Sequence, residues 1–159
     1  MDLDFKQLGD FLYNANIHGY AGGGFTFDPP QRPGFDELEY RSGDWLYHDS
    51  YSGHYFAPGQ ETVYYKDVPV WAMSYAGGMK FEYHGNKDFT RESIEFLKKA
   101  LLAMTREKPF RGPELYTQGD WRYLSSIVGG IKDFTGNEKI YYKEKLVFEQ
   151  NFIGGVIIN

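Results

Sequence analysis

The feature that most restricts how this chain can fold is that one stretch of it repeats another. A shift of 76 residues carries Tyr40 onto Tyr116, Gly43-Asp44-Trp45 onto Gly119-Asp120-Trp121, Tyr47 onto Tyr123, Ser50 onto Ser126 and Gly53 onto Gly129. After one inserted residue, a shift of 77 carries Gly59 onto Gly136, Glu61 onto Glu138, Tyr64-Tyr65-Lys66 onto Tyr141-Tyr142-Lys143, Val70 onto Val147 and Gly77-Gly78 onto Gly154-Gly155. Ordinary residue usage would supply about two or three such identities by chance. The repeat predicts an α+β fold of internally duplicated helix-plus-antiparallel-β-meander units, about residues 1–79 and 80–159, related by a pseudo-two-fold axis. So few residues per half make independent folding unfavourable, and the 159 residues are expected to form a single domain.

Periodicity fills in the elements. Phe5, Leu8, Leu12 and Ala15 recur at helical spacing, as do Ile94, Leu97, Leu101 and Met104, with Thr90 as the expected N-cap of the second helix and Pro109 beyond its end. Strands are expected near 39–50, 60–66 and 68–75 in the first meander and near 115–126, 137–143 and 145–153 in the second, with a further strand over 20–27. The connections at 66–69 and 143–145 suit tight hairpins. Tyr 14, Phe 13 and Trp 3 bring the aromatic share to 19%, which favours pleated surfaces and supplies a substantial core.

Alternation sorts the repeated residues by face. Trp45 and Tyr47 share one side of their strand and recur as Trp121 and Tyr123, while Glu61, Val63 and Tyr65 share a side and recur as Glu138, Ile140 and Tyr142. Trp71, Met73 and Tyr75 correspond to Phe148, Gln150 and Phe152. A glutamate among apolar neighbours is the anomaly, because burying an unpaired carboxylate is costly. Two such faces meeting at an axis would enclose an aromatic cleft carrying a few polar groups, the usual character of a small-molecule site. The candidate ligand-binding residues are Glu61, Glu138, Trp45, Trp121, Tyr47, Tyr123, Tyr65, Tyr142 and Trp71, with Arg32 and Arg111 as candidate anion binders. A plainer reading makes the aromatics core and has each glutamate bond a tyrosine hydroxyl, a backbone N–H or an arginine.

Other chemistries find less support. The absence of cysteine removes thiolate sites, and His18, His48, His54 and His84 lack compact metal-ligand spacing, so neither metal nor cofactor is expected. No G-x-S-x-G occurs, no catalytic residue is assigned, and Gly22-Gly23-Gly24 lacks the Lys-Ser/Thr that completes a phosphate loop. Asp44 and Asp120, each following a glycine, read as turn residues. A formal charge of -5 argues against a nucleic-acid partner, and Lys98-Lys99 reads as the wet face of a helix. The acidic N-terminus lacks a signal layout and no apolar run approaches a membrane span, so the expected location is cytoplasmic.

Several ordered motifs resemble a known family. Tyr20-Ala21-Gly22-Gly23-Gly24, Gly43-Asp44-Trp45 with Tyr47, Gly59-Gln60-Glu61 with Tyr64-Tyr65, Pro69-Val70-Trp71 with Met73 and Tyr75, Phe110-Arg111-Gly112-Pro113 with Tyr116, and Phe152-Ile153-Gly154-Gly155 together resemble the bacterial domains catalogued as domain of unknown function 5680. Some members carry an N-terminal helix-turn-helix domain, which implies a sensing or effector-binding role for the shared part. The sequence begins directly with the family domain, so direct gene regulation by this polypeptide is not expected. The resemblance carries over no catalytic residues.

The leading expectation is a module that binds or senses a metabolite or nucleotide-like molecule in the aromatic cleft, including the case of a standalone sequestering protein. Next comes a protein-interaction or homodimerising β-sheet domain. A hydrolase or isomerase relying on Glu61 and Glu138 ranks last, and it requires carboxylates close together with one pKa pushed upward.

Overall fold

The computed structural model describes residues 3–19, 21 and 25–157. Among them, α1 (Phe5–His18) opens the chain and a two-residue strand, β1 (Phe25–Thr26), follows. Four strands come next: β2 (Asp36–Ser42), β3 (Trp45–Tyr51), β4 (Gly59–Tyr65) and β5 (Val68–Met79). A 3-10 turn (Phe81–Tyr83) leads into α2 (Lys87–Leu102), and β6 (Leu115–Gln118), β7 (Trp121–Gly130), β8 (Asp133–Tyr142) and β9 (Lys145–Val156) complete the order. The strands form one sheet in the order β1-β2-β3-β4-β5-β9-β8-β7-β6, with every neighbouring pair antiparallel. The class is therefore α+β, as the alternation predicted.

Two expectations about boundaries are overturned. Residues 39–50 and 115–126 are not single strands, because each folds back at a two-residue turn, Gly43-Asp44 or Gly119-Asp120, so each meander has four strands rather than three. Both turn glycines sit at φ 58, a left-handed conformation that costs an L side chain energy and glycine little. The backbone carbonyls of Asp44 and Asp120 accept the N–H groups of Lys66 and Lys143, at 2.8 and 3.0 Å, which ties each turn to the adjacent hairpin. The N-cap of α2 is Asn86, whose side chain accepts the Phe89 N–H at 3.2 Å. Thr90 lies inside the helix, and its hydroxyl donates to the Asn86 carbonyl. Of the strand expected over 20–27, Phe25–Thr26 is present, while Tyr20 and Gly22-Gly23-Gly24 lie outside the described residues.

Both helices pack on one face of the sheet. α1 buries Leu8, Phe11, Leu12 and Ala15 against Tyr47, Val63, Trp71, Met73, Phe134 and Phe152. α2 buries Phe96, Leu97, Ala100 and Leu101 against Met79, Tyr123, Ile140, Val147 and Phe148. The two amphipathic stripes drive this arrangement, since each buried Leu or Phe contributes about 1.5–3 kcal/mol when removed from water. Between the helices, β5 lies beside β9, with Tyr75 opposite Phe152 and Gly77 opposite Gln150. At Gly77 a Cβ would overlap the Cα of Gln150 and the carbonyl of Glu149, so only glycine permits this approach. Among the described residues, no helix is long and apolar enough to cross a membrane.

Candidate functional site

Strand alternation brings Tyr47 and Asp49 of β3, Glu61 of β4, Tyr75 of β5, Phe152 and Gln150 of β9, Glu138 of β8 and Tyr123 of β7 to the helix-facing side of the sheet. Into their midst comes Arg111, from the loop joining α2 to β6. Its neighbour Phe110 anchors the loop by stacking on Phe134, with ring centres 4.3 Å apart, while the Asn16 amide donates to the Pro109 carbonyl at 3.2 Å. The loop thus drives an arginine into the core, where it is 6% exposed.

Arg111 joins the two repeated glutamates. Its Nη1 donates to Glu61 Oε1 at 3.4 Å and its Nη2 lies 3.2 Å from Glu138 Oε1. The rings of Tyr75 and Phe152 flank the guanidinium, 5.5 and 5.3 Å from its carbon, within cation–π range. Tyr123 donates its hydroxyl to Glu138 Oε2 at 2.8 Å, and Tyr47 lies beside Glu61, one strand away. Tyr75 donates to Asp49 Oδ1 at 2.7 Å. Three buried carboxylates, Asp49, Glu61 and Glu138, therefore surround one buried guanidinium, an imbalance that a low-dielectric interior resists.

Protonation answers part of that imbalance. Burial pushes the Glu61 pKa up to about 8, against the pull of Arg111, with Asp49 adding to the rise. Burial likewise raises Asp49 to about 6, opposed by the Tyr75 hydrogen bond and by Arg111. Burial alone would lower the Arg111 pKa, but Glu138 and Glu61 overcome it and hold the guanidinium charged. The hydroxyls of Tyr47 and Tyr123 are pushed up by burial and by the neighbouring glutamates, so both remain donors.

Beside this cluster lies a cavity of about 70 Å³. Its polar lining includes Asp49, Glu61, Tyr75, Arg111 and Gln150 together with Asn16, Tyr51 and His54, and Ile94, Leu97 and Leu101 of α2 with Phe148 supply an apolar side. Glu61 Oε2 and Arg111 Nε are buried without a hydrogen-bond partner. Among the described residues there is no group of three or more His, Asp or Glu arranged to hold a metal ion.

The structure gathers some of the sequence-selected residues here and disperses the rest. Glu61, Glu138, Tyr47, Tyr123 and Arg111 come together. Trp45 and Tyr65 pack at the outer end of the first meander, where Trp45 stacks on Phe11 of α1. Trp121 and Tyr142 do the same in the second, where both rings meet Phe89 of α2. Trp71 is wholly buried, donates its indole N–H to the Ile131 carbonyl at 2.9 Å and stacks on Phe134. Arg32 is half exposed and lies against Glu37, bonding the Ser50 hydroxyl on the sheet face away from the helices. Asp49 and Tyr75, absent from the residues selected by sequence, also join the cluster. By alternation Asp49 shares the face of Trp45 and Tyr47, and Tyr75 that of Trp71 and Met73, and both are places where the repeat departs from identity, with Ser125 and Phe152 as counterparts.

All the charged members of the cluster fall within the stretch that a family model covers. No curated protein and no solved structure matches the chain. The family described as Domain of unknown function (DUF5680) matches residues 49–157, more than half of the sequence, and the protein belongs to that family.

Proposed function

We propose that the protein is a small-ligand binding module, a single domain made of two copies of one helix-plus-meander unit, with its site at the junction of the copies. The observation that carries the reading is the cavity beside Arg111, where a buried, incompletely satisfied charge cluster meets an apolar helix face. Folded proteins seldom leave such groups unpartnered without a use for them. The duplicated architecture is supported by details shared between the halves. The register slips at Val63/Tyr64 and at Ile140/Tyr141, and the hairpin pairs Lys66-Asp67 and Lys143-Glu144 all take positive φ. Met79 donates its N–H to Tyr55 and Val156 donates to Lys132, positions matched in the repeat. Tyr75 faces Phe152, its own counterpart, so the β5–β9 register reads the same from either half.

Native mass spectrometry of the purified chain, followed by thermal melts against a metabolite library, tests the reading. A ligand at 100 times its Kd adds about 2.7 kcal/mol, an easily resolved rise in Tm. Finding neither a retained molecule nor any shift at millimolar concentrations would overturn it. A second reading, acid–base chemistry at the same site, draws on Asp49 and Glu61, which face one another across β3 and β4 with pKa values pushed up to about 6 and 8. Chemical change of the identified ligand on incubation, lost in Glu61→Gln, separates that reading from binding alone.

A further inference from the structure

We propose that the ligand is a cation, a short organic amine whose ammonium group sits against Asp49 and Glu61 while its carbon chain lies along Ile94, Leu97 and Leu101 of α2. The inference deepens the binding-module reading and rests on it. Charge complementarity is the argument. Arg111 looks like an anion receptor in isolation, but its Nη1 and Nη2 face Glu61 and Glu138, and among the described residues that line the cavity the other basic side chain is the imidazole of His54. A carboxylate or phosphate entering the cavity would meet three buried carboxylates and a guanidinium whose Nη1 and Nη2 already face Glu61 and Glu138, with only Nε left as an unpartnered donor.

An ammonium meets the opposite situation. It brings three donors, and the cavity wall offers Glu61 Oε2, which is buried and unpartnered, together with the Asp49 carboxylate. It also supplies the countercharge that the cluster lacks, so that the cost of two ionised carboxylates at this depth is offset by a partner. The asymmetry of the repeat points the same way. The second half has Ser125 and Phe152 where the first has Asp49 and Tyr75, so the excess negative charge and the cavity lie on one side of Arg111. A volume of about 70 Å³ accommodates a handful of water-sized occupants, which sets the length of the chain to a few carbons.

Isothermal titration of the full chain at pH 7.5 with n-butylamine, n-butanol and butyrate tests the charge preference at constant size. The expected result is amine binding at least tenfold tighter than butanol, with no measurable butyrate binding. Asp49→Asn, which preserves the shape, is expected to weaken the amine at least tenfold and leave butanol unchanged. If that variant fails to fold by circular dichroism, Glu61→Gln serves in its place. Butanol or butyrate binding as tightly as the amine overturns the cation inference and leaves the binding module standing, as does a library ligand of another charge class with no response to the amine. Silence from all three probes and from the library overturns both.

Discussion

Removing the charge of Arg111 tests the account of the core most directly. Arg111→Met keeps an unbranched stem between the rings of Tyr75 and Phe152 and deletes the guanidinium that Glu61 and Glu138 share. Stripping one partner from a buried ion pair costs about 3–5 kcal/mol, because the remaining charge is left uncompensated. Glu61 softens the loss, since its pKa of about 8 lets it take a proton near neutrality, but Glu138 is fully buried and keeps only the Tyr123 hydroxyl. The expected penalty is therefore about 3 kcal/mol or more at pH 8, shrinking towards pH 5.5 as acid neutralises Glu61 and Asp49. Urea melts followed by the intrinsic fluorescence of Trp45, Trp71 and Trp121 provide the assay. With an m-value of about 2 kcal/mol/M, the midpoint falls by about 1.5 M at pH 8. Adding Glu61→Gln and Glu138→Gln to Arg111→Met should recover at least half of the deficit. A loss below about 1 kcal/mol at pH 8, or a deficit equal at the two pH values, would mean that Arg111 does not balance these carboxylates.

The wild-type chain should also become less stable with rising pH across the neutral range. Glu61 and Asp49 have folded pKa values raised above the ordinary carboxylate values of 4.5 and 3.8, so the folded state binds more protons than the unfolded one between those values and about 8 and 6. Melting temperatures at pH 6 and pH 8 check the sign, and greater stability at pH 8 contradicts it. The repeated glutamates should respond differently to neutral replacement. Glu61→Gln is expected to be within about 1 kcal/mol of wild type near pH 6.5 and to flatten the pH slope, whereas Glu138→Gln costs about 2 kcal/mol by weakening the fully buried side of the pair. Chemical denaturation of both variants at two pH values decides this, and equal effects would show the two positions to be equivalent. Gly77→Ala should destabilise by about 3 kcal/mol through overlap with the β9 backbone, while Gly130→Ala, with nothing in reach of a new Cβ, should be neutral in the same melts.

Much of the sheet was legible in the chain because strand side chains alternate whatever the surroundings. That local rule placed Tyr47 with Trp45, and Glu61 with Val63 and Tyr65, on one face before any contact was known. The same rule concealed the turns at Gly43-Asp44 and Gly119-Asp120. A two-residue hairpin preserves the count of two, so the apolar pattern runs through it unbroken and two strands read as one. The site was less legible. Arg32 and Arg111 occupy similar Pro-Gly and Gly-Pro settings, yet Arg32 lies on the outer face with Glu37 and Arg111 enters the core with Glu61 and Glu138. Loops have no period from which direction can be read.

The repeat, the α+β class, the two amphipathic helices and the face on which each glutamate sits were readable along the chain, because each follows from periodicity or identity. The pairing of β5 with β9, the arginine that joins Glu61 to Glu138, and the arrival of Asp49 and Tyr75 beside them at a cavity emerge only from the three-dimensional packing. Those outcomes depend on how far one half of the chain lies from the other in space. That distance is set by the packing of α1, α2 and the Phe110 loop against a common sheet face, and no local pattern encodes it.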